Sequence, residues 1–162
     1  MACCAAAHSP PQYTRHVVPT PPFGRDTIAS ILPHRDPFLL LDEVLELEPG
    51  TRVAASYRVP EDGWWFAGHF PGRPVMPGVL IVEAMAQTGA VAVLAEEENR
   101  GRIAFFAGID ACRFKRIVSP GDTLMLACEI DHVRGPIGRG KATAHIGTEL
   151  AARGTLTFAV ER

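Results

Sequence analysis

Apolar residues are distributed along this chain in two contrasting ways. Over residues 79–95 nearly every position is apolar or small, so a helix there is hydrophobic on every side, the pattern of a helix buried all round. Only Glu83 and Gln87 interrupt it, and their spacing of one helical turn puts them on one face. On either side of this segment the pattern changes to short runs of strand-forming residues between turn signals. Upstream, residues 44–48 and 52–59 are joined at Pro49-Gly50, a hairpin signal. Downstream, residues 103–109, 112–118, 123–133, 140–147 and 150–160 are separated by Ser119-Pro120-Gly121-Asp122 and by the glycine-rich stretch 135–140. One apolar helix followed by consecutive strands predicts an α+β layer, an antiparallel sheet wrapped around a central helix.

The N-terminal part has neither periodicity. Residues 1–25 hold Pro10, Pro11, Pro19, Pro21 and Pro22 and read as an extended or disordered leader, with a single domain over 26–162. Asp26 is placed to cap a short helix over residues 27–31 that ends before Pro33. A chain of 162 residues that is 47% hydrophobic and 21% charged supports one sizeable core. A net charge of -2 gives no global case for nucleic acid or an anionic membrane. Cys3, Cys4, Cys112 and Cys128 lack the spacings of a zinc site or a disulfide framework, which predicts no metal and a reducing, cytoplasmic setting. The apolar segment is unsuited to membrane insertion, since Glu83 and Gln87 lie inside it and Glu96, Glu97 and Glu98 close it. The alternative location is a plastid, if the acid-free residues 1–25 are the remnant of a transit peptide.

Two residues stand out chemically. His69 follows Trp64, Trp65 and Phe66, an apolar wall, and sits in a loop stiffened by Pro71, Pro74 and Pro77 and opened by Gly68, Gly72 and Gly78. An imidazole so placed suits a general base near neutral pH, although a single loop histidine is more often structural. Glu83 either reaches solvent or a cationic partner, or is a carboxylic acid whose pKa burial raises so that it donates a proton to a leaving group. Gly78 falls where the helix begins, so its amide is free to stabilise a developing enolate oxygen. Base, acid and oxyanion donor together suit proton abstraction alpha to a carbonyl with loss of a beta substituent. Spacing leaves open whether His69 and Glu83 meet within one subunit or across two. His34, His132 and His145 read as turn or surface histidines. Residues 135–141, Gly-Pro-Ile-Gly-Arg-Gly-Lys, read as a mobile hairpin, because the Gly-Lys-Ser/Thr ending of a phosphate loop is missing. Arg113, Lys115 and Arg116 read as a solvated strand face that, with Arg134, Arg139 and Lys141, suits an acidic partner.

Several ordered segments resemble the beta-hydroxyacyl-acyl carrier protein dehydratases of type II fatty acid synthesis, in their general-chain-length form. They are Leu32-Pro33-His34-Arg35 with Pro37-Phe38-Leu39-Leu40, Gly68-His69-Phe70-Pro71-Gly72, Pro77-Gly78-Val79-Leu80, Glu83-Ala84-Met85-Ala86-Gln87 and Phe105-Phe106-Ala107-Gly108-Ile109-Asp110. Asp36 departs from the aromatic residue that many members carry. The resemblance implies a hot-dog fold, with homodimers or trimers of dimers. It implies dehydration of a (3R)-3-hydroxyacyl chain on the phosphopantetheine arm of acyl carrier protein, with no metal or organic cofactor. It also implies His69 as base and Glu83 as acid facing each other across a dimer interface, Gly78 donating to the thioester carbonyl, Val75 orienting the imidazole through its carbonyl, and Gln87 holding a water by Glu83. Two other readings compete: a thioesterase in which the carboxylate activates water, and a non-catalytic module that binds the carrier.

Overall fold

In the computed structural model, which describes residues 18–161, seven strands form one sheet in the order β1-β2-β3-β5-β6-β7-β4. They are β1 (Phe23–Gly24), β2 (Glu43–Glu48), β3 (Arg52–Arg58), β4 (Ala104–Phe114), β5 (Thr123–Arg134), β6 (Ile137–Ile146) and β7 (Glu149–Val160), and all pairings are antiparallel. A short helix α1 (Arg25–Ile31) precedes β2, and the long helix α2 (Gly78–Leu94) packs against β3, β5 and β6. The α+β arrangement of an antiparallel sheet around one helix is the one predicted. Among the described residues, no helix is long and apolar enough to cross a membrane.

The core lies between α2 and the facing side of the sheet. Residues 124, 126 and 128 of β5 alternate inward, as a half-buried strand requires, and meet Leu80, Ile81, Ala84, Met85 and Val91 of the same core. Burial of α2 is nearly complete but not uniform. Val79, Glu83, Ala86 and Ala90, at helical spacing, form the one less buried stripe, and the last three face a cavity.

Four expectations need correction. The expected leader, residues 1–25, falls outside the described residues up to 17, but Phe23 and Gly24 pair with Val44 and Glu43, and Arg25 opens α1. Their fixation comes from β2 and from partners of Arg25 distant in sequence, which proline content does not reveal. The cap of α1 is Gly24, and Asp26 sits in the first turn, because the chain enters the helix from β1. Residues 103–109 and 112–118 are not two strands. A single β4 runs to Phe114, and the apparent break is a bulge at Asp110/Arg113 in which Ala111 adopts φ 50°. Finally, β6 begins at Ile137, so Gly138 and Gly140 are strand residues and the turn is confined to Gly135 and Pro136.

Candidate active site

Glu83 enters the site from the second turn of α2, and its immediate partner is Gln87, one turn on. The Gln87 amide nitrogen donates to Glu83 Oε1 at 2.9 Å and to Phe38 O at 2.8 Å, while its oxygen accepts from the Leu40 amide at 2.8 Å. With both hydrogens and the oxygen engaged, Gln87 can be buried to 1% exposure without leaving a polar atom unpaired. It ties the 38–40 segment to the helix and holds one oxygen of the carboxylate. That segment is pinned from its other side by Arg25, whose guanidinium donates to Leu41 O at 3.0 Å, to Asp42 Oδ1 at 2.9 Å and also to Asp36. Asp36, the departure noted in the sequence, is therefore an ion-pair partner in this chain.

His34 was expected to be a turn or surface histidine, and here the structure differs. Its Nε2 lies 3.5 Å from Glu83 Oε1, its side chain is 25% exposed, and its Nδ1 is buried with no hydrogen-bond partner among the described residues. The contact joins residues 49 positions apart, so local sequence gives no sign of it beyond the Leu-Pro-His-Arg motif. His34 also changes the expected electrostatics of Glu83. Burial pulls the carboxyl pKa up, as anticipated, but hydrogen bonding to His34 and Gln87 and the charge of His34 outweigh it, and the pKa lies below the usual 4.5. In the resting chain near neutral pH Glu83 is a carboxylate.

His69 is held differently. It follows a 3-10 turn, Trp64–Ala67, and its amide donates to Trp65 O at 2.9 Å. Its Nδ1 lies 2.8 Å from Val75 O, and a carbonyl only accepts, so this bond places the proton on Nδ1 and leaves Nε2 with a free lone pair in the neutral ring. The Val75 amide returns a bond to His69 O at 3.0 Å, and the imidazole stacks on Phe70 with centroids 4.1 Å apart. Trp65 is buried and packs edge-on to Trp64 and Phe66, so the aromatic cluster supports the histidine loop.

Gly78 is the first residue of α2, after Pro77, and its amide has no acceptor among the described residues, as the start of a helix predicts. Its glycine identity has a packing reason, because a Cβ there would stand 2.9 Å from the ring of Phe114.

A cavity of about 370 Å³ runs between α2 and the sheet. Glu83, Gln87 and His34 line one end, and the remaining walls are mostly apolar, including Ile130, Leu156 and Phe158. The aromatic wall is not the one expected from Trp64, Trp65 and Phe66, since its phenylalanines are Phe38, Phe105, Phe106 and Phe158. His69 and Val75 do not line the cavity, so the structure brings Glu83 and Gln87 together there and leaves the imidazole outside. Among the described residues, no group of three or more His, Cys, Asp or Glu side chains is arranged to hold a metal ion.

A family model described as a FabA-like domain matches residues 32–155. The chain is 57% identical over 139 residues to a 3-hydroxyacyl-(acyl-carrier-protein) dehydratase FabZ of Staphylococcus saprophyticus, covering 86% of this chain and 96% of that one. It is also 57% identical over 135 residues to the protein of that name in Bacillus cereus, with 83% and 94% covered. Among solved structures, one titled as the dehydratase heterocomplex ApeI:P of Xenorhabdus doucetiae superposes with a TM-score of 0.71 at 20% identity, covering 83% and 91% of the two chains. At that identity the likeness speaks for the fold.

Proposed function

The chain belongs to the family of FabA-like domains, and from that premise we propose that His69 and Glu83 carry out the dehydration of a 3-hydroxyacyl thioester of acyl carrier protein, giving the trans-2-enoyl thioester and water. The observation that carries the reading is an apolar cavity with a single carboxylate, Glu83, held at its polar end. The neutral His69 imidazole removes a proton from the carbon next to the thioester carbonyl through Nε2, while Val75 keeps the proton on Nδ1. The electron pair moves onto the carbonyl oxygen, where the unpaired Gly78 amide stabilises it. As the pair returns, the C–O bond at the beta carbon breaks and the hydroxyl leaves with a proton from Glu83.

A carboxylate at rest must gain that proton before elimination. An acyl chain filling the cavity removes the remaining water from Glu83 and strengthens the burial effect that raises its pKa, so proton uptake accompanies substrate binding. In the reverse direction the resting carboxylate is already suited to activate water for hydration.

The missing half of the site is supplied by a second copy of the chain. β4 is an edge of the sheet and exposes Phe105, Phe106 and Ile109 at 54%, 43% and 51%, an apolar unpaired edge that a monomer would not leave open to water. A partner seated on it brings its own His69 to the Glu83 end of the cavity. The carrier docks through Arg113 and Lys115, which form no ion pair among the described residues, whereas Arg116, Arg139 and Lys141 face Glu149, Asp110 and Asp131.

The test is turnover of 3-hydroxyacyl-carrier substrates by the wild type, His69→Ala and Glu83→Gln, with free thiol assayed in parallel. Each variant loses about 100-fold or more in kcat, the scale of a positioned acid or base, and no thiol is released. Wild-type rates in both variants would remove the assignment, and thiol release would turn it into a thioesterase.

A further inference from the structure

Glycine in the interior of a helix or strand is unfavourable, and it marks a place where something approaches the backbone closely. Two such glycines line the cavity and stand against one and the same side chain. Gly89 lies in α2, six residues beyond Glu83 and so about 9 Å further along the helix, and Gly140 lies in β6. Between them sits one side chain, Cys128 of β5. A Cβ on Gly89 would stand 2.9 Å from Cys128 Sγ, and a Cβ on Gly140 would stand 3.0 Å from the same sulfur and 2.9 Å from Glu129 O. Both glycines therefore make room for the sulfur, and neither position admits a larger residue without displacement of its neighbours.

All three residues line the same cavity as Glu83, and the rise of α2 sets Gly89 about 9 Å along the helix from it. Cys128 is 3% exposed, and burial pushes its thiol up to about 12, so it stays neutral and packs as a small apolar group. Strand β6 contributes no side chain here at Gly140, and at Gly138 the missing side chain is replaced by the ring of Phe158 from β7, which a Cβ would overlap. The space of the missing Gly140 side chain is closed off by the Cys128 sulfur and by Ile130, whose Cδ1 would stand 3.3 Å from a Cβ built at Gly140.

We propose that Cys128, seated between Gly89 and Gly140, forms the inner end of the acyl pocket and sets the longest acyl chain the protein accepts. The inference rests on the dehydratase reading of the same cavity. A smaller side chain at 128 lengthens the pocket, and a larger one shortens it, while the polar end at Glu83 is untouched.

The experiment compares kcat/KM of the wild type, Cys128→Ala and Cys128→Leu on carrier-bound 3-hydroxy substrates of butyryl, octanoyl and dodecanoyl length. Cys128→Leu is expected to lower the long-to-short ratio about ten-fold, the discrimination that a methylene-sized change in an apolar pocket provides, and Cys128→Ala to raise it. Calorimetric binding of the matching saturated acyl-pantetheines gives the same ordering without turnover. Overpacking in Cys128→Leu would depress all lengths together, so the opposite shift in Cys128→Ala is the decisive arm. An unchanged ratio in Cys128→Ala, in turnover and in binding, overturns the proposal. If the wild type dehydrates no length, the dehydratase reading fails by itself, and the binding series still reads the role of Cys128.

Discussion

Glu83 and His69 are built to opposite specifications. Glu83 is mounted on a buried helix, with Gln87 and His34 on one of its oxygens and the pinned 38–40 segment behind them. His69 is mounted on a loop, half-buried, with one side-chain hydrogen bond and an exposed phenylalanine beside it. The carboxylate is held by partners within the chain and lines the cavity, whereas His69 lies outside that cavity. On the proposed reading, a catalytic pair divided in this way lets each group be fixed by its own element, and would make activity conditional on association of two copies.

The largest effect that would break this contrast is complementation. Mixing inactive His69→Ala with inactive Glu83→Gln, after reversible dissociation, is expected to restore about a quarter of wild-type activity, because mixed dimers carry one intact site made from two wild-type residues. No recovery, with mixed dimers confirmed by native mass spectrometry, would place both groups in one chain. Next in size is the clamp. Gln87→Leu leaves the buried Leu40 amide unpaired and releases Glu83, so a stability loss of about 1–3 kcal/mol in urea melts should accompany a fall in kcat. The corresponding loss on the histidine side is smaller, since that loop has less buried structure to lose. The smallest effect is in acid. Glu83 has a folded pKa below its unfolded value, so its contribution to stability is complete above about 4.5 and is lost as the pH falls through the folded pKa. Glu83→Gln is expected to flatten the acid limb of the stability curve below that pH, and His34→Ala, which brings the folded pKa of Glu83 back up, to shrink it in the same sense. Identical acid limbs in thermal melts of all three proteins would show that His34 does not act on Glu83.

The difference between what was legible in the chain and what was not follows the range of the interactions. The apolar run predicted over residues 79–95 is observed as Gly78–Leu94, because hydrophobic periodicity is a local property. The antiparallel sheet was legible for the same reason, from Pro49-Gly50 and the later turn signals. The merging of two predicted strands into β4 was not, since the bulge at Asp110/Arg113 exists only against β7. Nor was the open stripe on α2, because Ala86 and Ala90 look like core residues in sequence and become cavity lining only when the sheet curves around them.

His69, Gly78, Glu83 and Gln87 could be singled out from the residues themselves, by a charge or amide in an apolar run and by a stiff loop around an imidazole, whereas Val75 was named only through the family resemblance. Chain chemistry thus determined the central helix, the strand-rich remainder, the family and the residue types of the site. The tertiary structure alone decided three further matters. It set Glu83 as a resting carboxylate by bringing His34 against it, it left His69 outside the cavity that Glu83 lines, and it lodged Cys128 between two glycines in the wall of that cavity. Each depends on distances between residues far apart in the chain. Local propensity carries no information about those distances, and packing around α2 sets them.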